Sequence, residues 1–216
     1  MKLYGNNFSF NSNKVRFAAN AMGIAHEFQS VDLQAGEQRQ EAFLKVNPVG
    51  RIPALADGAF TVFESNAIMR YLAEKTGSPL YPKDLQKRTI VNQWLDFGSI
   101  HVGGAMGKIF FNTLVYKFVN GTKDENSLKE GRQFLANFLK IIEAQLGQGP
   151  YICGNEMTLA DINILAILDP CEVTGSDISA YPKVVAWRKK LQAQEFYHKV
   201  FPSFTEFMSA MAQNAK

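Results

Sequence analysis

The chain has 216 residues, of which 46% are apolar and 20% charged, a balance that builds one large core or two compact ones and excludes a disordered polymer. Twenty-three bases against 20 acids leave a net charge of +3, and the excess is evenly spread, with 8 bases and 7 acids in residues 1–80. Without a basic tract or an aromatic RNA-binding motif, nucleic acid is not an expected partner.

Lys2-Leu3-Tyr4 reads as a short strand stopped by the turn cluster Gly5-Asn6-Asn7. From Asn13, the residues Val15, Ala18, Ala19 and Met22 share one helical face that Gly23 ends. Glu27 to Val31 alternates as a strand, and Glu37 to Val46 reads as helix. Ile52 to Ala56 and Phe60 to Phe63 flank Asp57-Gly58, a hairpin signature. Ser65 is expected to cap a last helix carrying Ile68, Tyr71 and Leu72, stopped by Gly77. The predicted order is β-α-β-α-β-β-α, a small α/β unit over residues 1–78. After the breaker-rich connector Ser78 to Pro82, the spacing predicts only helices: Leu85–Val119, Ser127–Gly147, Thr158–Asp169, Tyr181–Gln194 and Pro202–Ala212. Residues 85–216 should therefore form an all-helical domain. Thr158-Leu159-Ala160-Asp161 is a capping-box pattern.

No run approaches the ~18 unbroken apolar residues of a membrane span. Met1-Lys2-Leu3-Tyr4-Gly5-Asn6 leads into a polar segment without an apolar leader core. A soluble cytoplasmic protein without a membrane partner is expected, so the sequons at Asn7 and Asn120 carry little meaning. The two cysteines, Cys153 and Cys171, make neither a disulfide framework nor a Cys-x-x-Cys pair. His101 lacks partners at metal-ligand spacing, so no metal is expected.

Pro53 stands where a strand should begin and cannot donate to a ladder. A cis bond between Ile52 and Pro53 would turn the Ile52 backbone N–H and C=O toward an extended, peptide-like ligand, which would add as a strand. Shortly after, Glu64-Ser65 opens a helix. Its free N–H groups suit a carboxylate and the Glu64 carboxylate suits an ammonium, together the α-amino acid end of a small peptide. The plain alternative is a turn proline followed by an ordinary serine cap.

Asn47-Pro-Val-Gly-Arg-Ile-Pro-Ala-Leu and Phe63-Glu-Ser-Asn-Ala-Ile-Met-Arg-Tyr-Leu resemble the glutathione-binding signature of cytosolic glutathione transferases. Tyr151-Ile-Cys-Gly-Asn-Glu-Met-Thr-Leu-Ala-Asp-Ile is similar to that family's helical-domain capping box. The resemblance covers essentially the whole chain. It implies a thioredoxin-like N-terminal domain, an all-helical C-terminal domain and a homodimer. The implied activity is conjugation of glutathione to small hydrophobic electrophiles, with reduction of organic hydroperoxides as a further one. Glutathione is the co-substrate, and no cofactor is implied. The contrasting reading is a non-catalytic binding or assembly module of the same fold.

Ser9-Phe-Asn-Ser-Asn-Lys-Val resembles the serine-type loop, with Lys followed by Val five residues after the serine, and Gly36 to Pro48 resembles the phi-like plant and bacterial branch. The resemblance assigns thiol activation to Ser9, with Asn11 and Ser12 as local competitors; Ser12 has the alternative role of helix cap. It assigns glutathione contacts to Gln38, Arg39, Arg51, Ile52, Pro53, Glu64 and Ser65. Gln38-Arg39 departs from the His-Lys pair common in that branch, leaving Arg39 to supply the charge for the glycyl carboxylate. The family's co-substrate pocket would draw on Phe10, Phe111 and Val115, near Phe8, Phe110, Leu114 and Phe118, although each could equally be a core residue. Trp94 and Trp187 read as packing residues, and Asp161 as a folding residue. Neither cysteine falls in the loop, which argues against disulfide exchange and against the isomerase branch.

Overall fold

Residues 1–76 alternate as expected: β1 (Lys2–Gly5), α1 (Phe10–Ala21), β2 (Glu27–Ser30), a 3-10 turn (Glu37–Arg39), α2 (Glu41–Leu44), β3 (Ala54–Asp57), β4 (Phe60–Phe63) and α3 (Ser65–Thr76). The computed structural model describes residues 1–119 and 121–214, with side chains through residue 209; the Asn120 sequon lies outside the described residues. The sheet order is β2-β1-β3-β4, with β1 parallel to β2 and antiparallel to β3. The two-residue period of the strands sorts their side chains. Leu3 and Leu55 join Val15, Phe17, Ile68 and Leu72 in the main core, while Tyr4 and Ala54 pack with Val31 and Phe43 in a smaller cluster. The Tyr4 and Phe43 rings meet edge-on at 6.0 Å.

Two helix starts differ from the sequence reading. The first helix begins at Phe10, and its cap is Ser9, not Ser12. Ser9 is the extended residue (φ −85°, ψ 109°), and its Oγ accepts the Ser12 N–H at 3.2 Å. Ser12 is already helical and fully buried, with its Oγ accepting the Asn6 N–H at 3.3 Å. The last helix of this half has Glu64 before it and Ser65 as its first residue. The segment expected to be helical from Glu37 is split because Gln40 is extended (φ −75°, ψ 150°).

Beyond the connector come α4 (Leu85–Asp96), α5 (Gly103–Phe110) and α6 (Tyr116–Phe118), joined into one run by π-helical segments at Phe97–Val102 and Phe111–Val115. Then follow α7 (Glu125–Gln145), α8 (Leu159–Leu168), α9 (Cys171–Thr174), α10 (Pro182–Gln192), α11 (Glu195–His198) and α12 (Phe204–Asn214). The apolar period marked the long elements; the single-turn α9 and α11 are too short to show one. Asp124 caps α7 by accepting the Asn126 and Ser127 N–H groups at 2.9 and 3.0 Å. Every residue of α8 is buried.

Asp161 explains how α8 can begin in the core. Its carboxylate accepts the Ile152 N–H (2.9 Å), the Thr158 N–H (2.8 Å), the Thr158 hydroxyl (3.1 Å) and the Trp187 indole N–H (3.0 Å). Trp187 is thus a hydrogen-bond donor as well as a packing residue. The two halves meet through α1, which packs on both α3 and α8. Phe17 stacks on Tyr197 of α11 at 4.8 Å. Among the described residues, no helix is long and apolar enough to cross a membrane.

Candidate active site

Strand register assembles the site. Ala54 pairs with Tyr4 on one side and with Phe63 on the other. That one position brings three segments to the same end of the sheet: the loop after β1 that ends at Ser9, Ile52-Pro53 entering β3, and Glu64-Ser65 leaving β4. The Ile52–Pro53 bond is cis. Pro53 is buried, Ile52 half-buried and Arg51 exposed.

Buried Asn47 braces the approach to that proline. Its amide donates to the Arg51 carbonyl at 2.5 Å and its carbonyl accepts the Val49 N–H at 3.0 Å. Gly50 is in the left-handed region (φ +66°), and a Cβ there would lie 3.1 Å from the Gln38 carbonyl oxygen. This close approach packs the Gln38-Arg39 turn against the Asn47–Pro53 loop. The Gln38 side-chain oxygen is buried without a partner, and exposed Arg39 makes no ion pair among the described residues.

Glu64 is exposed, and among the described residues it is the sole non-glycine with positive φ, at 68°. Such a conformation costs about 1–3 kcal/mol and persists where surrounding structure imposes it, often at ligand-holding turns. Ser65, 9% exposed, starts α3, whose first N–H groups have no partner within the helix.

The loop after β1 is braced along its length. Asn6 accepts the Phe8 N–H at 2.9 Å and donates to the Val31 carbonyl at 3.2 Å. Asn13 donates to the Asn7 carbonyl at 2.8 Å. Arg16 donates to the Asn7 side chain while its guanidinium lies 4.1 Å from the Phe28 ring centre. Burial lowers its pKa to about 10. Half-buried Ser9 uses an acceptor lone pair for the cap, so its hydroxyl proton stays available to a group in front of the helix end.

An aromatic cluster adjoins this loop. The Phe8 ring centre is 5.9 Å from that of Phe118 and 5.3 Å from that of Phe207 in α12. The Gln34 amide donates to the Phe118 carbonyl at 3.2 Å, joining the loop after β2 to the long helix. Of the pocket candidates, Phe10 and half-buried Val115 pack against the main core, and Phe111 is 40% exposed. Sequence reasoning missed Phe207; Phe204, Phe207 and Met208 at i, i+3, i+4 were the available signal. Lys14, quoted only as part of a motif, was missed as well. Its Nζ is fully buried between the two halves. Exposed His101 lies against Phe97 and Phe138, at 5.6 and 5.5 Å.

Burial pushes Cys153 up to about 11 and Cys171 up to about 12. Both are protonated thiols at neutral pH, and both lie in the helical half.

Family models match on both sides of the connector: the glutathione S-transferase N-terminal domain over residues 1–74 and the C-terminal domain over residues 104–195. Glutathione S-transferase 3 of Zea mays is 34% identical over 205 residues, covering 92% of each chain. The fold superposes on glutathione S-transferase I from maize, solved in complex with an atrazine glutathione conjugate, with a TM-score of 0.84, 30% identity and coverage of 92% of this chain and 95% of that one. It also matches the theta class glutathione S-transferase of Xanthomonas axonopodis pv. citri, solved with glutathione bound, with a TM-score of 0.85, 25% identity and coverage of 94% and 98%. The chain belongs to the glutathione S-transferase family.

Proposed function

We propose that the protein is a serine-type glutathione S-transferase in which Ser9 stabilises the glutathione thiolate for attack on small hydrophobic electrophiles. The observation that carries this reading is the division of labour at Ser9: its oxygen accepts from the helix, and its proton remains free to donate. Sulfur needs such a donor, because a free thiol with a pKa near 8.5 is mostly protonated at neutral pH. The positive end of α1, whose first turn carries no acid, adds a favourable field. The thiolate then forms a carbon–sulfur bond as the electrophile's leaving group departs with its electron pair. Turnover of an aromatic halide with glutathione tests the reading; retention on immobilised glutathione without turnover would favour the non-catalytic module.

In this reading the cis Ile52-Pro53 edge takes the cysteinyl backbone, Glu64 the ammonium and the start of α3 the γ-glutamyl carboxylate. Gln38 and Arg39, with Arg51 nearby, face the glycyl end. Glu64→Ala should weaken glutathione binding by about 1–2 kcal/mol, discounted from the ~1.5–3 kcal/mol of charge-assisted bonds because solvent screens Glu64 until ligand covers it. Unchanged affinity in calorimetry would remove Glu64 from the site.

The reading includes a homodimer. Ile100 is 68% exposed, Ile141 48% and Phe134 43%. The Phe134 ring stacks on Phe138, which meets His101 and through it Phe97, so these rings form one face of the first π segment and α7; Ile100 lies in that segment, and Ile141 lies three residues past Phe138. A patch of this kind is expected to be covered by a second surface, here the same face of another copy. Light scattering should show twice the 24.1 kDa of one chain, and Phe134→Asp should shift it toward the monomer. A wild-type monomer at micromolar concentration would refute the dimer.

A further inference from the structure

Lys14 is 0% exposed, although its side chain ends in an ionisable amine. Its Nζ donates to Asn66 Oδ1 at 3.0 Å, Ser99 Oγ at 3.1 Å and Asn163 Oδ1 at 2.8 Å. All three donors are used, and all three acceptors are neutral. The acceptors come from α3, from the first π segment and from α8, so one side chain joins the sheet domain to two helices of the other domain. The Leu95 carbonyl receives both the Asn66 and the Asn163 amides at 3.1 Å, and the Asn66 amide also donates to Ser99 Oγ at 3.0 Å. These groups therefore already bind one another. A Cβ on Gly98 would lie 2.3 Å from the Asn163 amide nitrogen, so the bulged helix approaches as closely as a glycine permits.

Burying an ammonium among neutral groups is costly, and such charges are weak contributors to stability. Lys14 is the donor that serves Asn66 Oδ1 among the described residues, but a neutral donor would serve it as well, so a charge at this position needs another explanation. Asn66 is the residue after Ser65, two after the strained Glu64. Desolvation is the main influence on Lys14, with the Glu64 carboxylate drawing its charge and Arg70 opposing it.

We propose that Lys14 is a positioning residue for glutathione: its ammonium, tied to Asn66, Ser99 and Asn163, sets the Glu64-Ser65 turn against the helical domain and supplies a buried positive charge that acts on the γ-glutamyl end of the ligand. This rests on the reading of Glu64 and Ser65 as the γ-glutamyl clamp. The charged groups acting on Lys14 are Glu64 and Arg70; the π segment and α8 present neutral Ser99 and Asn163. Burial lowers its pKa to about 7. The ammonium is therefore present below that pH and lost as pH rises through it, so ligand affinity should be higher on the acid side.

The test uses S-methylglutathione, which has no titrating thiol, in calorimetry at about pH 6 and about pH 8.5. Lys14→Met leaves Asn66 Oδ1 without its donor and should lower the melting temperature, but the folded variant should bind the ligand at least about tenfold more weakly than wild type near pH 6, and kcat at saturating glutathione should stay within about threefold because the sulfur is served by Ser9. Lys14→Arg should hold its affinity better than wild type as pH rises, while wild type should fall toward Lys14→Met; the fall common to all three is titration of the ligand's own amine. Wild-type-like binding by folded Lys14→Met, or a wild-type pH profile that parallels that of Lys14→Arg, would overturn the proposal. If Lys14→Met does not fold, the wild-type pH profile and Lys14→Arg decide. Glu64→Ala separates the two levels. Normal binding by that variant defeats the clamp itself, whereas weakened binding there beside normal binding in Lys14→Met defeats the lysine's role alone.

Discussion

Ser9→Ala should lower kcat for aromatic-halide conjugation by roughly 10- to 1,000-fold, the range for losing one preorganised donor to a developing or resting anion. Glutathione affinity should change far less, because Glu64, Ser65 and Arg39 are expected to hold the ends of the peptide remote from sulfur. The pKa of the bound thiol, read from thiolate absorbance in the ultraviolet, should rise by about one unit or more, each unit being about 1.4 kcal/mol. Ser9 has a second role that must be separated from this one, since its oxygen caps α1. Alanine at a cap costs about 1 kcal/mol, glycine only a few tenths. Ser9→Gly should therefore nearly restore the melting temperature while leaving turnover as low as in Ser9→Ala. Recovery of turnover with stability would assign the activity loss to the cap, and the helix end or Asn11 would then activate the sulfur. Ser12→Ala should spare catalysis, because that hydroxyl is fully buried and engaged with Asn6.

Asp161→Ala should be the most destabilising single change. It orphans the Ile152 and Thr158 N–H groups and the Trp187 indole N–H, all anchored on a carboxylate with 0% exposure. Each buried unsatisfied donor costs about 1–3 kcal/mol. The sum, on the order of 4 kcal/mol or more, is a large share of the ~5–15 kcal/mol that typical domains possess. Burial raises the Asp161 pKa, and the four hydrogen bonds oppose that rise. Urea denaturation should show the loss as a lowered midpoint. A midpoint shift equivalent to less than about 1 kcal/mol would mean that water replaces the carboxylate.

Much of the fold that carries the candidate site was readable because its determinants are local. The Asp57-Gly58 hairpin, the proline opening β3 and the Thr158–Asp161 box each act within a few residues. The cap at Ser9 shows where local reading stops. Either serine could have capped α1; the choice fell to Ser9 because Ser12 is needed against the end of β1, where its hydroxyl meets Asn6. The positive φ of Glu64 has no signature in residue type, since it is imposed by joining β4 to α3 across the site.

The sequence by itself determined the β-α-β-α-β-β-α half, the all-helical half and the motifs that mark the candidate site, because hydrophobic period, caps and breakers are properties of neighbouring residues. Only the tertiary structure decided what Lys14 and Phe207 do. Lys14 finds its acceptors 52, 85 and 149 positions away, and Phe207 meets Phe8 from the last helix. A charge among neutral partners, or an aromatic beside a loop, takes its role from neighbours that the chain brings together only once α1, α3, α8 and the bulged helix have packed.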